Sequence, residues 1–204
     1  MHITKVTYHY YDDLIRRLSY VTLQGTGEKI YADCSAQVRP LPLWNIRPAQ
    51  NYVLRQDLER VRDLRRAVFD FCSADILHLA GFLEVHFAEY LEPVDILPPV
   101  VEVHTESDGT RVNLVVDGMH RLYLAWLEWV RPTVVLIQHV PHLYYAYPLR
   151  GDDPWSRVEL REDLPENYIK RWHRVTPPKH KDLFRQFDAP GAFNTRHVSR
   201  GVVQ

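Results

Sequence analysis

Asp117, Gly118, His120 and Arg121 place a carboxylate, a glycine, an imidazole and a guanidinium in one short stretch. An apolar run, Asn113 to Val116, precedes them and has the composition of a buried strand. Met119 to Val130 follows without Gly or Pro and predicts a helix. The four residues therefore crowd a strand-to-helix turn. A helix N-terminus offers unpaired backbone N–H groups and partial positive charge, which suit phosphate oxygens. Gly118 permits a sharp turn and close approach of a ligand. An acid, an imidazole and a guanidinium beside such donors point to nucleotide or phosphate chemistry. The same pattern also fits an ordinary core helix with solvated polar residues at its start.

Other reactive residues lack a completing partner. His139-Val140-Pro141-His142 has two imidazoles, but no second Cys or His pair is spaced to close a zinc site. Cys34 and Cys72 have no adjacent redox motif and are expected to be packing residues. No Walker-A loop and no Gly-x-Ser-x-Gly elbow occurs. Lys179, Lys181, Arg185, Arg196 and Arg200 make a local basic tail. It reads either as solvated surface or as a clamp on phosphate or carboxylate.

The elements that must carry these residues can be read in part. Residues 4–10 alternate as a half-buried strand would. Tyr20–Gln24 and Lys29–Ala32 flank Gly25-Thr26-Gly27, a hairpin signal. Leu54, Leu58, Val61, Leu64 and Val68 have helical spacing within a helix expected from about Tyr52 to Phe71. Its arginines interleave with Asp57, Glu59 and Asp63, so a solvated face with ion pairs is expected there rather than a nucleic-acid stripe. A second helix is expected over Ala74–Tyr90, with His78 and His86 as packing residues. Val100–His104 and Arg111–Val116 read as a hairpin around Ser107-Asp108-Gly109-Thr110. Thr133–Ile137 reads as a further buried strand, and Trp126 and Trp129 as core. This mixture predicts an α+β fold.

The turn Asp117-Gly118-Met119-His120-Arg121, with Leu124-Ala125 behind it, resembles the signature loop of the ParB/sulfiredoxin superfamily. Leu41–Pro48 is similar to the opening segment of that superfamily, and Asp95–Val103 to its Pro-rich strand, so the likeness spans roughly residues 40 to 140. The resemblance implies a mixed sheet with packed helices. Residues 1–150 would form this core with an N-terminal hairpin, and 151–204 a C-terminal extension packed on it. Met119 stands where sulfiredoxins carry a reactive cysteine, and a thioether cannot act as a thiolate. The Asp-Gly-x-His-Arg form looks most like the free-amino-acid (serine) kinases. That likeness implies Asp117 and His120 as catalytic residues, Gly118, Met119, His120 and Arg121 around the nucleotide, and Asp117 toward Mg²⁺. ATP or ADP would be the cofactor and a small hydroxylated metabolite the substrate. Such kinases also use a Glu near the opening segment, whereas residues 47–52 here hold no carboxylate. Asp117 then acts alone, or an acid such as Glu102 reaches in, or the substrate is not serine.

The whole chain bounds these readings. It has 204 residues, 46% of them hydrophobic, and a net charge of −1. That balance argues against a broadly basic nucleic-acid binder. The absence of a basic-then-apolar leader and of long apolar runs leads to the expectation of a cytoplasmic chain with no membrane partner. The alternative expectations are a ParB-like nucleic-acid-acting or regulatory protein, and a nucleotide-binding module without turnover.

Overall fold

The computed structural model describes residues 1–106, 108–141, 151–164 and 182–187. Its described residues form an α+β fold, as the sequence predicts. The N-terminal strand β1 (Ile3–His9) leads directly into helix α1 (Tyr11–Leu18). Asp12 and Asp13 lie in the first turn of α1 and Arg16 and Arg17 in its last, each matching the helix dipole. Leu14 and Leu18, one turn apart, are its buried residues. The expected hairpin follows in reduced form. β2 (Thr22–Leu23) bridges to Lys29, and the Leu23 N–H donates to the Glu28 carbonyl at 2.9 Å.

β3 (Ser35–Pro40), β4 (Tyr52–Leu54) and helix α2 (Arg55–Cys72) come next. α2 buries Leu58, Val61, Leu64 and Val68, the residues whose spacing predicts it. The helix expected over 74–90 does not form. Strand β5 (Phe82–Phe87) occupies its second half, paired antiparallel with β1. The apolar spacing from Ile76 to Phe87 imitates a helix, but Gly81 marks the break. A Cβ at Gly81 would lie 1.9 Å from the His9 carbonyl oxygen, so the chain passes too close to β1 for any other residue. His78 is exposed, and His86 is half-buried with its Nε2 3.1 Å from Glu84, so neither packs on a helix.

β6 (Val94–Ile96), β7 (Val100–Thr105), β8 (Arg111–Asp117), α3 (Met119–Leu127) and β9 (Thr133–Gln138) complete the centre. The main sheet runs β3-β9-β7-β8. β7 and β8 form the expected antiparallel hairpin, while β9 lies parallel to β7. Alternation along the strands separates two faces. Val101, Val115, Val134 and Leu136 join the main core cluster with residues of α2 and α3. Val100, Val135 and Ile137 join a second cluster with Leu14, Leu18, Ile30 and Tyr31. β1, β5 and β6 form a separate antiparallel sheet.

The C-terminal third adds short pieces to this frame. β10 (Glu159–Arg161) pairs parallel with β4, and β11 (Arg185–Gln186) pairs antiparallel with β2. Trp155 is fully buried and its indole N–H is shared between the Leu43 and Ile46 carbonyls at 3.0 and 3.1 Å. Two expectations about packing are corrected. Trp129 is 93% exposed, because the helix ends at Leu127 and the chain turns at φ 56. Cys72 is also exposed, at the last residue of α2. Among the described residues no helix is long and apolar enough to cross a membrane.

Candidate functional site

The strand-to-helix turn is present where the residues predict it. β8 ends at Asp117, and Gly118 stands as the N-cap of α3 at φ 82, ψ 25. That left-handed conformation favours glycine. A Cβ at Gly118 would also lie 2.8 Å from the Pro99 Cβ and 3.0 Å from Arg121 Nη2. Glycine is therefore required twice, by φ and by space. Leu122 N–H makes the first helical bond to the Gly118 carbonyl, which leaves the N–H groups of the preceding helical residues without an intrahelical acceptor.

Arg121 is committed to the turn itself. Its Nη2 donates to Asp117 Oδ2 at 2.9 Å, and its Nη1 donates to the Leu97 carbonyl. Burial pulls its pKa down, against the opposing effect of Asp117. The guanidinium thus ties the end of β8 to the segment before β7. The Asp117 side chain remains 41% exposed and projects its carboxylate at the strand end.

His120 faces a partner that the linear sequence does not single out. Its Nε2 lies 3.8 Å from Asp57 Oδ2 in the first turn of α2. The same nitrogen is 3.4 Å from the Leu54 backbone N–H, which donates to it at the N-cap of α2. The starts of α2 and α3 therefore converge on one imidazole. Burial lowers the His120 pKa, while the charges of Asp57 and Asp117 oppose that shift and Arg121 reinforces it. Arg60 in turn holds Asp57 Oδ1 at 3.3 Å.

Glu102 and Arg185 come together, but elsewhere. Glu102 is wholly buried on the face of the second core cluster, on the same side of β7 as Val100. Arg185 donates to it from Nε at 2.8 Å and from Nη2 at 2.9 Å. Tyr31 Oη–H donates at 2.6 Å and His104 Nε2 lies 2.6 Å away. Burial alone would raise the Glu102 pKa, but the Arg185 charge and the hydrogen bonds of His104 and Arg185 outweigh it and hold the pKa at about 2. Glu102 is thus placed to fix the 182–187 segment, not to reach the turn. Lys179, Lys181, Arg196 and Arg200 lie outside the described residues, as does His142.

A shallow cavity of about 420 Å³ lies at the other end of β7, lined by His104, Thr105, Arg111, Gln138 and His139 among others. Asp117 pairs with Val100 at one end of the hairpin and Arg111 with Thr105 at the other. The turn and the cavity therefore sit roughly 15–20 Å apart along the strands. Among the described residues no group of three or more His, Cys, Asp or Glu side chains is arranged to hold a metal ion.

A family model described as the ParB CE domain matches residues 13–159. The fold and the turn thus define a ParB-like protein, and the chain belongs to the ParB CE domain family. The match runs from α1 to β10 and contains the whole Asp117–Arg121 turn, while β11 falls beyond it. No curated protein and no solved structure matches the chain significantly.

Proposed function

We propose that this ParB-like chain is a nucleotide-dependent phosphotransferase acting on a small hydroxylated metabolite such as a free amino acid. The observation that carries the reading is the convergence of the α2 and α3 N-termini on His120, beside the half-exposed Asp117. Two helix starts and an imidazole favour an anion there. Phosphoryl transfer asks mainly for positioning and for stabilisation of phosphate charge.

The placements support the following division of roles. The free N–H groups at Met119, His120 and Arg121 would receive phosphate oxygens of ATP or ADP, with Gly118 keeping the backbone open. His120 adds positive charge when protonated. Asp117 would accept the proton of the substrate hydroxyl. Arg121 holds Asp117 in place through its Oδ2. Mg²⁺ is usually bound by one or two carboxylates together with substrate phosphates, and it neutralises charge on them. The single exposed carboxylate of Asp117 fits that limited share.

A second reading is nucleotide binding without turnover, in a regulatory ParB-like protein. It is favoured by the pairing of Asp117 with Arg121, which occupies one carboxylate oxygen that a proton acceptor would use.

Thermal-shift measurements with ATP, ADP and CTP, each with and without Mg²⁺, test the reading. A ligand that binds only the folded chain raises its apparent stability by mass action. The kinase reading expects stabilisation by ATP or ADP and transfer of labelled phosphate to an amino-acid hydroxyl. Stabilisation without transfer to any of the hydroxylated amino acids moves the balance to the regulatory reading. No stabilisation by any nucleotide refutes both.

A further inference from the structure

We propose that Asp57 is a positioning residue of this site, fixing the His120 imidazole through its Nε2 edge and thereby the charge that the imidazole presents to an anionic ligand. The proposal rests on the reading of the turn as a phosphate site.

The geometry carries it. Asp57 sits in the first turn of α2 with 18% of its side chain exposed, and Oδ2 lies 3.8 Å from His120 Nε2. The other oxygen, Oδ1, is held by Arg60 Nη1 at 3.3 Å, which fixes the carboxylate. The Leu54 N–H reaches the same Nε2 at 3.4 Å. Two partners thus compete for one ring nitrogen. The backbone N–H requires a lone pair on Nε2, which is the neutral ring protonated on Nδ1. The carboxylate instead favours a proton on Nε2, and it stabilises most the ring protonated on both nitrogens, which is the cation.

Arrival of an anion decides between them. A negative ligand beside the ring raises its affinity for a proton, and Nε2, once protonated, donates to Asp57 instead of accepting from the Leu54 N–H. Asp57 thus stabilises the cationic form at the moment when a cation is useful. The charged groups facing the ring are Asp57 from α2, with Arg60 behind it, Asp117 from the end of β8 and Arg121 from α3. Asp57 and Asp117 favour the charged ring, and Arg121 disfavours it. Asp57 itself does not touch the reacting atoms in this account. It works through His120.

The test uses the full chain and its Asp57→Asn and Asp57→Glu variants. ADP affinity is measured by calorimetry from about pH 5.5 to about pH 8.5, the range in which an imidazole gains or loses its proton. Imidazole resonances of His120, assigned with His120→Gln, are followed over the same range without ligand. In Asp57→Asn, the pH at which His120 becomes charged should fall, and ADP affinity near neutral pH should drop by about 3- to 10-fold, with Asp57→Glu restoring much of both. An unaltered His120 titration in Asp57→Asn, with the fold intact, would overturn the proposal. If no protein binds ADP at any pH, the phosphate reading fails, while the His120 titration still decides whether Asp57 governs the ring.

Discussion

Arg185 and Glu102, separated by 83 residues in sequence, meet as a two-pronged ion pair in which neither side chain is more than 1% exposed. Tyr31 and His104 fill further hydrogen-bonding positions of the carboxylate. Segment 182–187 is thereby fastened to the central strand β7. Removing one partner of a buried pair leaves an uncompensated charge, which typically costs about 3–5 kcal/mol. Arg185→Met should therefore lower the unfolding free energy by about that much in urea titrations. The double variant Arg185→Met, Glu102→Leu should recover part of the loss. A cost under about 1 kcal/mol for the single variant would contradict the placement of this pair.

The same pair sets an acid-stability window. The folded Glu102 has a pKa of about 2, below the ordinary value of 4.5. A depressed carboxylate contributes stability that is fully present above the unfolded pKa and is lost as pH falls through the folded one. Stability attributable to Glu102 should thus decline from about pH 4.5 down to about pH 2. In Glu102→Gln that part of the slope should be absent. Denaturation midpoints of both proteins across the window check it, and parallel curves would remove Glu102 from the account.

Gly118 is a test of the turn as a backbone device. Alanine there meets both an unfavourable φ of 82° and a 2.8 Å contact with Pro99. Gly118→Ala should destabilise the protein by roughly 1–3 kcal/mol. A melting temperature equal to that of the parent would mean that the turn adopts another conformation.

Asp117 and Arg121 should separate chemistry from folding. Arg121→Met leaves Leu97 and Asp117 without their donor in a largely buried setting, at a cost of about 1–3 kcal/mol. Asp117→Asn removes the charge but keeps an oxygen that can accept from Arg121, so its cost to stability should be smaller than that of Arg121→Met. Phosphate transfer, however, should fall by about 100-fold or more. Full transfer activity in Asp117→Asn would rule out Asp117 as the proton acceptor.

What was legible in the sequence was local. The strand, the glycine and the helix of the 113–127 stretch are signalled by neighbours in sequence, and they form as read. The hairpin β7–β8 and the face of α2 follow for the same reason. Strand β5 does not announce itself, because Ile76, Leu77, Leu83 and Phe87 satisfy helical spacing while its pairing with β1 is a long-range contact. Helix α1 and strand β3 carry little local signal. α1 is only 8 residues long, and β3 is defined by its six-residue register with β9 rather than by its own composition. The site shows the same division. Asp117, Gly118, His120 and Arg121 could be picked out together, but the approach of Asp57 to His120 exists only once α2 packs on α3. The partnership of Glu102 with Arg185 likewise depends on β11 reaching β2 and β7.

Calorimetric titration of ADP, with Mg²⁺ present, into the full chain and into His120→Ala decides whether the Asp117–Arg121 turn holds phosphate. The parent protein should bind, and the variant should bind about 10-fold more weakly or worse, consistent with losing one charge-assisted hydrogen bond. The two proteins should melt at nearly the same temperature. Equal affinity in both, with the fold intact, would place the phosphates away from the Asp117–Arg121 turn.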